Sequence, residues 1–203
     1  MILISALSLS LSLSLPVQYI CELNFLSTVL NVKLSYAHLI AVLEHKIHIF
    51  DLRNMKIIHT LDTTSNVRGL CALTASQTHA YMCYPASEER GELFVYDAIN
   101  LRTVACIRAH NTALRCVAFN QQGTMLATCS TQGTVIRVWS VPLGKKLFTF
   151  RRGTYPARIN TIAFNRKSDM IVVSSDDSST VHVFSMRESV GTKVGEDRVR
   201  EPR

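Results

Sequence analysis

Two adjacent arginines, Arg151 and Arg152, are the residues of this chain whose type and spacing most clearly could do chemistry. They sit in the run Phe150-Arg151-Arg152-Gly153, where the glycine allows a sharp turn directly afterwards. A guanidinium presents a planar fork of donors that matches a phosphate or a carboxylate. In a strand, neighbouring side chains point to opposite faces, so the two arginines would reach two separate places. Each place has candidate helpers. Thr128, Ser130, Gly133, Thr134 and Arg137 lie on the blade that holds Arg151, with His110 just before it. Ser175, Thr180 and His182 occupy comparable positions one repeat later, on the side of Arg152 and Gly153. An arginine with short hydroxyl donors suits a phosphate group. An arginine pair taken alone is a weak signal and reads first as a solvated strand end. For His110 and His182 a structural hydrogen bond and a ligand contact remain equally open.

The elements that position these residues follow a repeat. Four short runs end in an aromatic residue and a turn: Ile47 to Phe50, Leu93 to Tyr96, Ile136 to Trp139 and Val181 to Phe184. The aromatics recur roughly every 43 to 46 residues, the length of a four-stranded propeller blade. Ahead of each run the pattern predicts two strands separated by a polar turn such as Asn120-Gln121-Gln122-Gly123. The first strands are Leu30 to Leu34, Val67 to Leu73, Leu114 to Phe119 and Ile159 to Phe164; the second are Leu39 to Leu43, Ala80 to Tyr84, Met125 to Cys129 and Met170 to Val173. A further strand follows each of the first three aromatics, at Lys56 to Leu61, Thr103 to Ile107 and Lys146 to Phe150. This density of short β-rich runs and turn signals predicts an all-β, WD-repeat-like propeller. It is incomplete: the strands amount to about three and a half blades, fewer than a closed ring needs.

Composition supports a folded chain, with 47% hydrophobic residues, and the formal net charge of +7 points to an anionic partner. Nucleic acid is one such partner, but the aromatic platforms that single strands stack on are missing among the basic residues. The six cysteines form no C-x-x-C pair and most fall in apolar runs, which predicts buried free thiols in a reducing compartment. No Cys/His spacing suits zinc, and neither a metal nor another cofactor is expected. No nucleophile, base and orienting acid stand in a recognisable motif, so an enzyme is the least supported class.

The two ends differ from the middle. Within residues 1–20 serine and leucine alternate from Leu7 to Leu15, and the segment lacks the basic residues of a secretory signal. They are read as an apolar low-complexity leader outside the fold. Residues 21–186 form the partial propeller. Residues 187–203 carry Lys193, arginines and acidic groups with few large apolar side chains, and read as a disordered polar tail. The expectation is a fragment, or an altered product, of a longer protein.

The chain also resembles a known family. Phe150-Arg151-Arg152-Gly153 matches the F-R-R-G motif of the PROPPINs, the WIPI-type seven-bladed propellers of autophagy. The likeness runs from about Cys21 to Phe184 and includes Leu126 to Arg137 and Ser179 to Phe184. The resemblance implies two sites for phosphatidylinositol 3-phosphate and phosphatidylinositol 3,5-bisphosphate. By position, site one takes His110, Thr128, Ser130, Gly133, Thr134, Arg137 and Arg151; site two takes Arg152, Gly153, Ser175, Thr180 and His182. It further implies recruitment of autophagy proteins to membranes, from a cytoplasmic protein peripherally bound to autophagosome-precursor, endosomal or vacuolar/lysosomal membranes. Thr128 stands where many members have serine, and keeps the hydroxyl. Asp176-Asp177-Ser178-Ser179 is one residue longer than the family's usual turn and brings acidic groups beside site two. The family's membrane-insertion loop has no counterpart after Phe184, because the chain diverges at Arg187. A WD-repeat scaffold that binds only proteins explains the repeat equally well, but gives no reason for two arginine–hydroxyl sets.

Overall fold

The computed structural model describes residues 19–76, 78–176 and 180–187. Most of the apolar leader, most of the polar tail and Asp177, Ser178 and Ser179 lie outside the described residues. Of the tail, Arg187 is described; its guanidinium bonds the Asp169 carboxylate at 2.7 Å.

Every described element is a strand, and the strands form four antiparallel sheets in chain order. The first contains β1 (Asn31–Leu34), β2 (His38–Val42), β3 (Lys46–Asp51) and β4 (Lys56–Asp62). The second contains β5 (Ala72–Leu73), β6 (Tyr81–Pro85), β7 (Gly91–Asp97) and β8 (Arg102–His110). The third contains β9 (Leu114–Phe119), β10 (Met125–Ser130), β11 (Val135–Ser140) and β12 (Lys146–Arg151). The fourth contains β13 (Ile159–Phe164), β14 (Met170–Ser175) and β15 (Val181–Ser185). Each strand pairs only with its neighbours in sequence, the meander of a propeller blade. Among the described residues this gives three full blades and three strands of a fourth, as the repeat predicts.

The largest departure is β5. Val67 to Leu73 reads as a strand, yet only Ala72 and Leu73 pair. The Asn66 side chain bonds Leu70 at both its N–H and its carbonyl, and Gly69 turns at φ 58° to donate back to the Asn66 carbonyl. This side-chain loop competes with the ladder for the same backbone groups.

Three cores lie between sheets, and a smaller one packs Ala41, Leu43 and Phe50 of the first sheet region against Leu23, Phe25 and Val29 of the segment before it. Ile40, Val42, Ile47 and Ile49 of the first sheet pack on Met82, Tyr84 and Tyr96 of the second. Leu93, Val95 and Ile107 meet Leu126 and Trp139 of the third. Ala127, Cys129, Ile136 and Val138 meet Ile162, Ile171 and Val173 of the fourth. Strand alternation therefore sends Leu126, Thr128, Arg137 and Trp139 toward the second sheet, and their neighbours toward the fourth. The cysteines follow the same division. Cys71, Cys83 and Cys129 are buried free thiols, and burial pushes the Cys71 thiol up to about 12. Cys21 and Cys106 are exposed, against the expectation of general burial: Cys106 lies on the outer strand of its sheet.

Candidate functional site

The register of β12 decides where the arginine pair goes. Arg151 is opposite Val135, and Phe150 is opposite Ile136. Ile136 belongs to the core shared with the fourth sheet, so Phe150 faces that gap and Arg151 faces the gap toward the second sheet. The Arg152 N–H donates to the Thr134 carbonyl at 2.9 Å, which carries the ladder one step further and turns Arg152 to the fourth-sheet side. One guanidinium thus stands in each gap.

On the second-sheet side, a buried polar chain lies beneath Arg151. Arg137 Nη1 donates to the Ala109 carbonyl at 2.6 Å and to His110 Nδ1 at 3.1 Å. Arginine can only donate, so His110 Nδ1 is the acceptor and Nε2 carries the proton. That proton goes to Thr128 Oγ1 at 2.9 Å, which also accepts from Trp139 Nε1 at 3.0 Å. The Thr128 hydroxyl is completely buried and donates to the Arg137 carbonyl at 3.4 Å. Burial, reinforced by the Arg137 cation, holds His110 neutral and lowers its pKa to about 4. Thr128, Arg137 and His110 therefore come together, with Thr128 and His110 committed to one another as structural groups. Ser130 continues the same face at the end of β10 and is also buried. Arg151 is exposed, and its side chain has no hydrogen bond or ion pair among the described residues.

On the fourth-sheet side, Arg152 is held by the backbone. Its Nε donates to the Gly133 carbonyl at 2.8 Å and its Nη2 to the Tyr155 carbonyl at 2.5 Å. Gly133, placed with site one by position in the sequence, is bonded here to the arginine of site two. It turns at φ 63°, and a Cβ on it would lie 1.9 Å from the Ala157 carbonyl oxygen, so only glycine fits the approach. Thr134, half-buried, spends its carbonyl on the Arg152 N–H.

Phe150 stacks on Phe184 with ring centroids 5.0 Å apart. Arg152 is two residues beyond Phe150, and His182 is two residues before Phe184 on the oppositely directed β15. Both steps lead to the same end of the gap on facing walls. The His182 ring lies parallel to Phe184 at 6.2 Å. Ser175 shares the Ile171 and Val173 face of β14, toward the third sheet, and is buried; Thr180 is exposed immediately before β15. Gly153 has open space around it. Asp176 does not stand over Arg152 as a bare charge: Arg115 Nη2 pairs with it at 3.6 Å.

Sequence reasoning passed over Arg90, Arg108 and Lys146, which join Arg137 in a cleft between the second and third sheets. They are distant in sequence and match no motif; only Arg108, two residues before His110, carried a positional hint.

The sheet order and the paired gaps place the chain in the class of β-propellers, and comparison with solved structures agrees. KlAtg21, solved in complex with the coiled coil of AgAtg16, aligns with a TM-score of 0.71 at 26% identity, over 82% of this chain and 55% of that one. Hsv2 of Kluyveromyces marxianus aligns with a TM-score of 0.72 at 22% identity, over 84% of this chain and 54% of that one. A family profile described as PROPPIN matches residues 16–202, and the chain belongs to this family. Autophagy-related protein 18 of Schizosaccharomyces pombe is 40% identical over 188 residues, covering 83% of this chain and 50% of the relative. Its Dictyostelium discoideum counterpart is 43% identical over 167 residues, covering 82% and 44%. The chain spans about half the length of the curated relatives it matches.

Proposed function

We propose that this chain reads phosphatidylinositol 3-phosphate and phosphatidylinositol 3,5-bisphosphate by recognition without turnover, one headgroup in each gap beside the third sheet. The observation that carries the reading is the division of Arg151 and Arg152 between the two gaps, neither guanidinium being neutralised by a carboxylate among the described residues. Arg151 offers its whole donor fork. Arg152 is aimed by two carbonyls opposite His182, and Thr180 adds an exposed hydroxyl nearby in sequence. Thr134 and Ser130 flank the first gap, where the Arg137–His110–Thr128 chain fixes the wall.

A cation near an anionic leaflet is worth about 1 kcal/mol, so a single pocket binds marginally. Two pockets on one rim gain avidity of about 100-fold. The bound protein would then present its remaining surfaces to autophagy proteins, as a cytoplasmic, peripherally associated membrane protein. The likeness to KlAtg21, which was solved with a coiled coil, supports a protein partner as part of the same role.

The test is flotation with liposomes containing phosphatidylinositol 3-phosphate. The Arg151→Thr/Arg152→Thr double variant is expected to lose binding, and each single variant to retain a weaker, measurable fraction. A double variant that floats like the wild type sinks the two-pocket reading and leaves a protein-binding WD-repeat scaffold.

A further inference from the structure

The cleft between the second and third sheets opens along the same gap that Arg151 faces, but three of its four cations, Arg90, Arg108 and Lys146, belong to neither headgroup set. It encloses about 440 Å³ and carries Arg90, Arg108, Arg137 and Lys146 against one carboxylate, Glu92. That carboxylate is already paired, at 3.3 Å from Arg108 Nε, and both partners are partly solvated, so the pair neutralises little. Arg90 and Lys146 have no ion-pair partner among the described residues. Arg137 spends Nη1 on Ala109 and His110, while its Nε and Nη2 have no partner among the described residues. Several cations therefore face one concavity without enough anions to balance them.

Two features decide which anion fits. A phosphate cradle is built from hydroxyls and backbone N–H groups arranged around a cation, yet no serine, threonine or glycine lines this cleft. The cations also spread along it rather than converge. Lys146 is opposite Trp139, and Trp139 is two residues along β11 from Arg137, a step of about 7 Å. Trp139 and Ala109 supply an apolar wall between the charges. Spaced cations, an apolar wall and one carboxylate that can accept a peptide N–H suit an extended chain with alternating character. The same carboxylate repels a compact polyphosphate more strongly than it repels a single carboxylate.

We propose that this cleft docks an acidic, unphosphorylated peptide segment of a partner protein, with its carboxylates on Arg90, Arg108 and Lys146 and an apolar side chain against Trp139. Such a site takes its carboxylate contacts from outside the headgroup sets and shares with the first set the wall formed by Arg137 and His110.

The test uses the full chain and a graded set of fluorescein-labelled short peptides, from all-glutamine to glutamate-rich, each with a central leucine. Anisotropy is expected to show affinity rising with the number of glutamates. The Arg90→Glu/Arg108→Glu/Lys146→Glu variant is expected to lose at least about tenfold of that affinity, with an unchanged thermal melt. It is also expected to keep its flotation on phosphatidylinositol 3-phosphate liposomes, and soluble inositol 1,3-bisphosphate is expected to leave the peptide bound. Absence of glutamate-dependent binding overturns the proposal, as does equal binding by the triple variant. Displacement of the peptide by inositol bisphosphate, or parallel loss of flotation, overturns it in favour of an extension of the headgroup site.

Discussion

The two faces of the third sheet solve the problem of holding an arginine at a rim in opposite ways. Toward the second sheet, the wall is a buried polar chain from Arg137 through His110 to Thr128 and Trp139, and Arg151 stands clear of it. Toward the fourth sheet, the wall is the Phe150–Phe184 stack, and Arg152 is tied directly to the backbone. The first arrangement orders the wall and leaves the cation exposed and unbonded among the described residues; the second orders the cation itself. Preorganisation lowers the entropic cost of binding, so the fourth-sheet gap is expected to be the more selective and the second-sheet gap the more adaptable.

The sharpest way to break this contrast is Gly133→Ala. The left-handed φ and the 1.9 Å approach to the Ala157 carbonyl leave no room for a methyl group. A loss of more than about 3 kcal/mol is expected in urea unfolding, with the Arg152 gap damaged first. A loss below about 1 kcal/mol would show that the turn yields.

Acid comes next. The folded pKa of His110, about 4, lies below its unfolded value of about 6.5. Its contribution is full above the unfolded value and is lost as the pH falls toward 4, by roughly 3 kcal/mol at most. Trp139 is the only tryptophan and donates into the same chain, so its fluorescence should register the change. A neutral buried imidazole makes stability fall by about 1.4 kcal/mol per pH unit between pH 6.5 and 4, and a flat profile there would contradict it.

Thr128→Val keeps the shape and removes the shared acceptor. Two buried N–H groups, on His110 and Trp139, lose their partner, at a cost of about 2 kcal/mol. Liposome binding should fall in the second-sheet gap only, which is best read in an Arg152→Thr background.

The smallest effect separates the arginines. Arg152→Thr removes two bonds to carbonyls and should lower stability by about 1 kcal/mol. Arg151→Thr should leave the melting temperature unchanged while weakening flotation. Equal melting behaviour of the two would erase the difference between the gaps.

Most of the fold was legible because the repeat and the alternation report the same thing. Leu114 to Phe119 and Ile159 to Phe164 are strands over those very residues. Val67 to Leu73 misled because Asn66 and Gly69 make a local loop whose side-chain bonds apolar patterning does not register. The opposite placement of Arg151 and Arg152 followed from the pleat alone. What the pleat could not tell was which groups are spent: the Thr128 hydroxyl looks free in the sequence and is consumed in three dimensions by His110 and Trp139. Nor could it assign Gly133, a turn residue whose partner depends on how Arg152 curls back. The basic cleft needed the packing of two sheets to bring Arg90 and Arg108 alongside Lys146.

Because three of the apolar cores are each shared by two adjacent sheets, neighbouring blades share much of their stability. The molecule should behave as a short one-dimensional array with nearest-neighbour coupling. A cavity cut at Ile136, in the core between the third and fourth sheets, should uncouple those two units while the first two melt together. Hydrogen exchange would then show two cooperative blocks meeting at the sheet that carries both arginines.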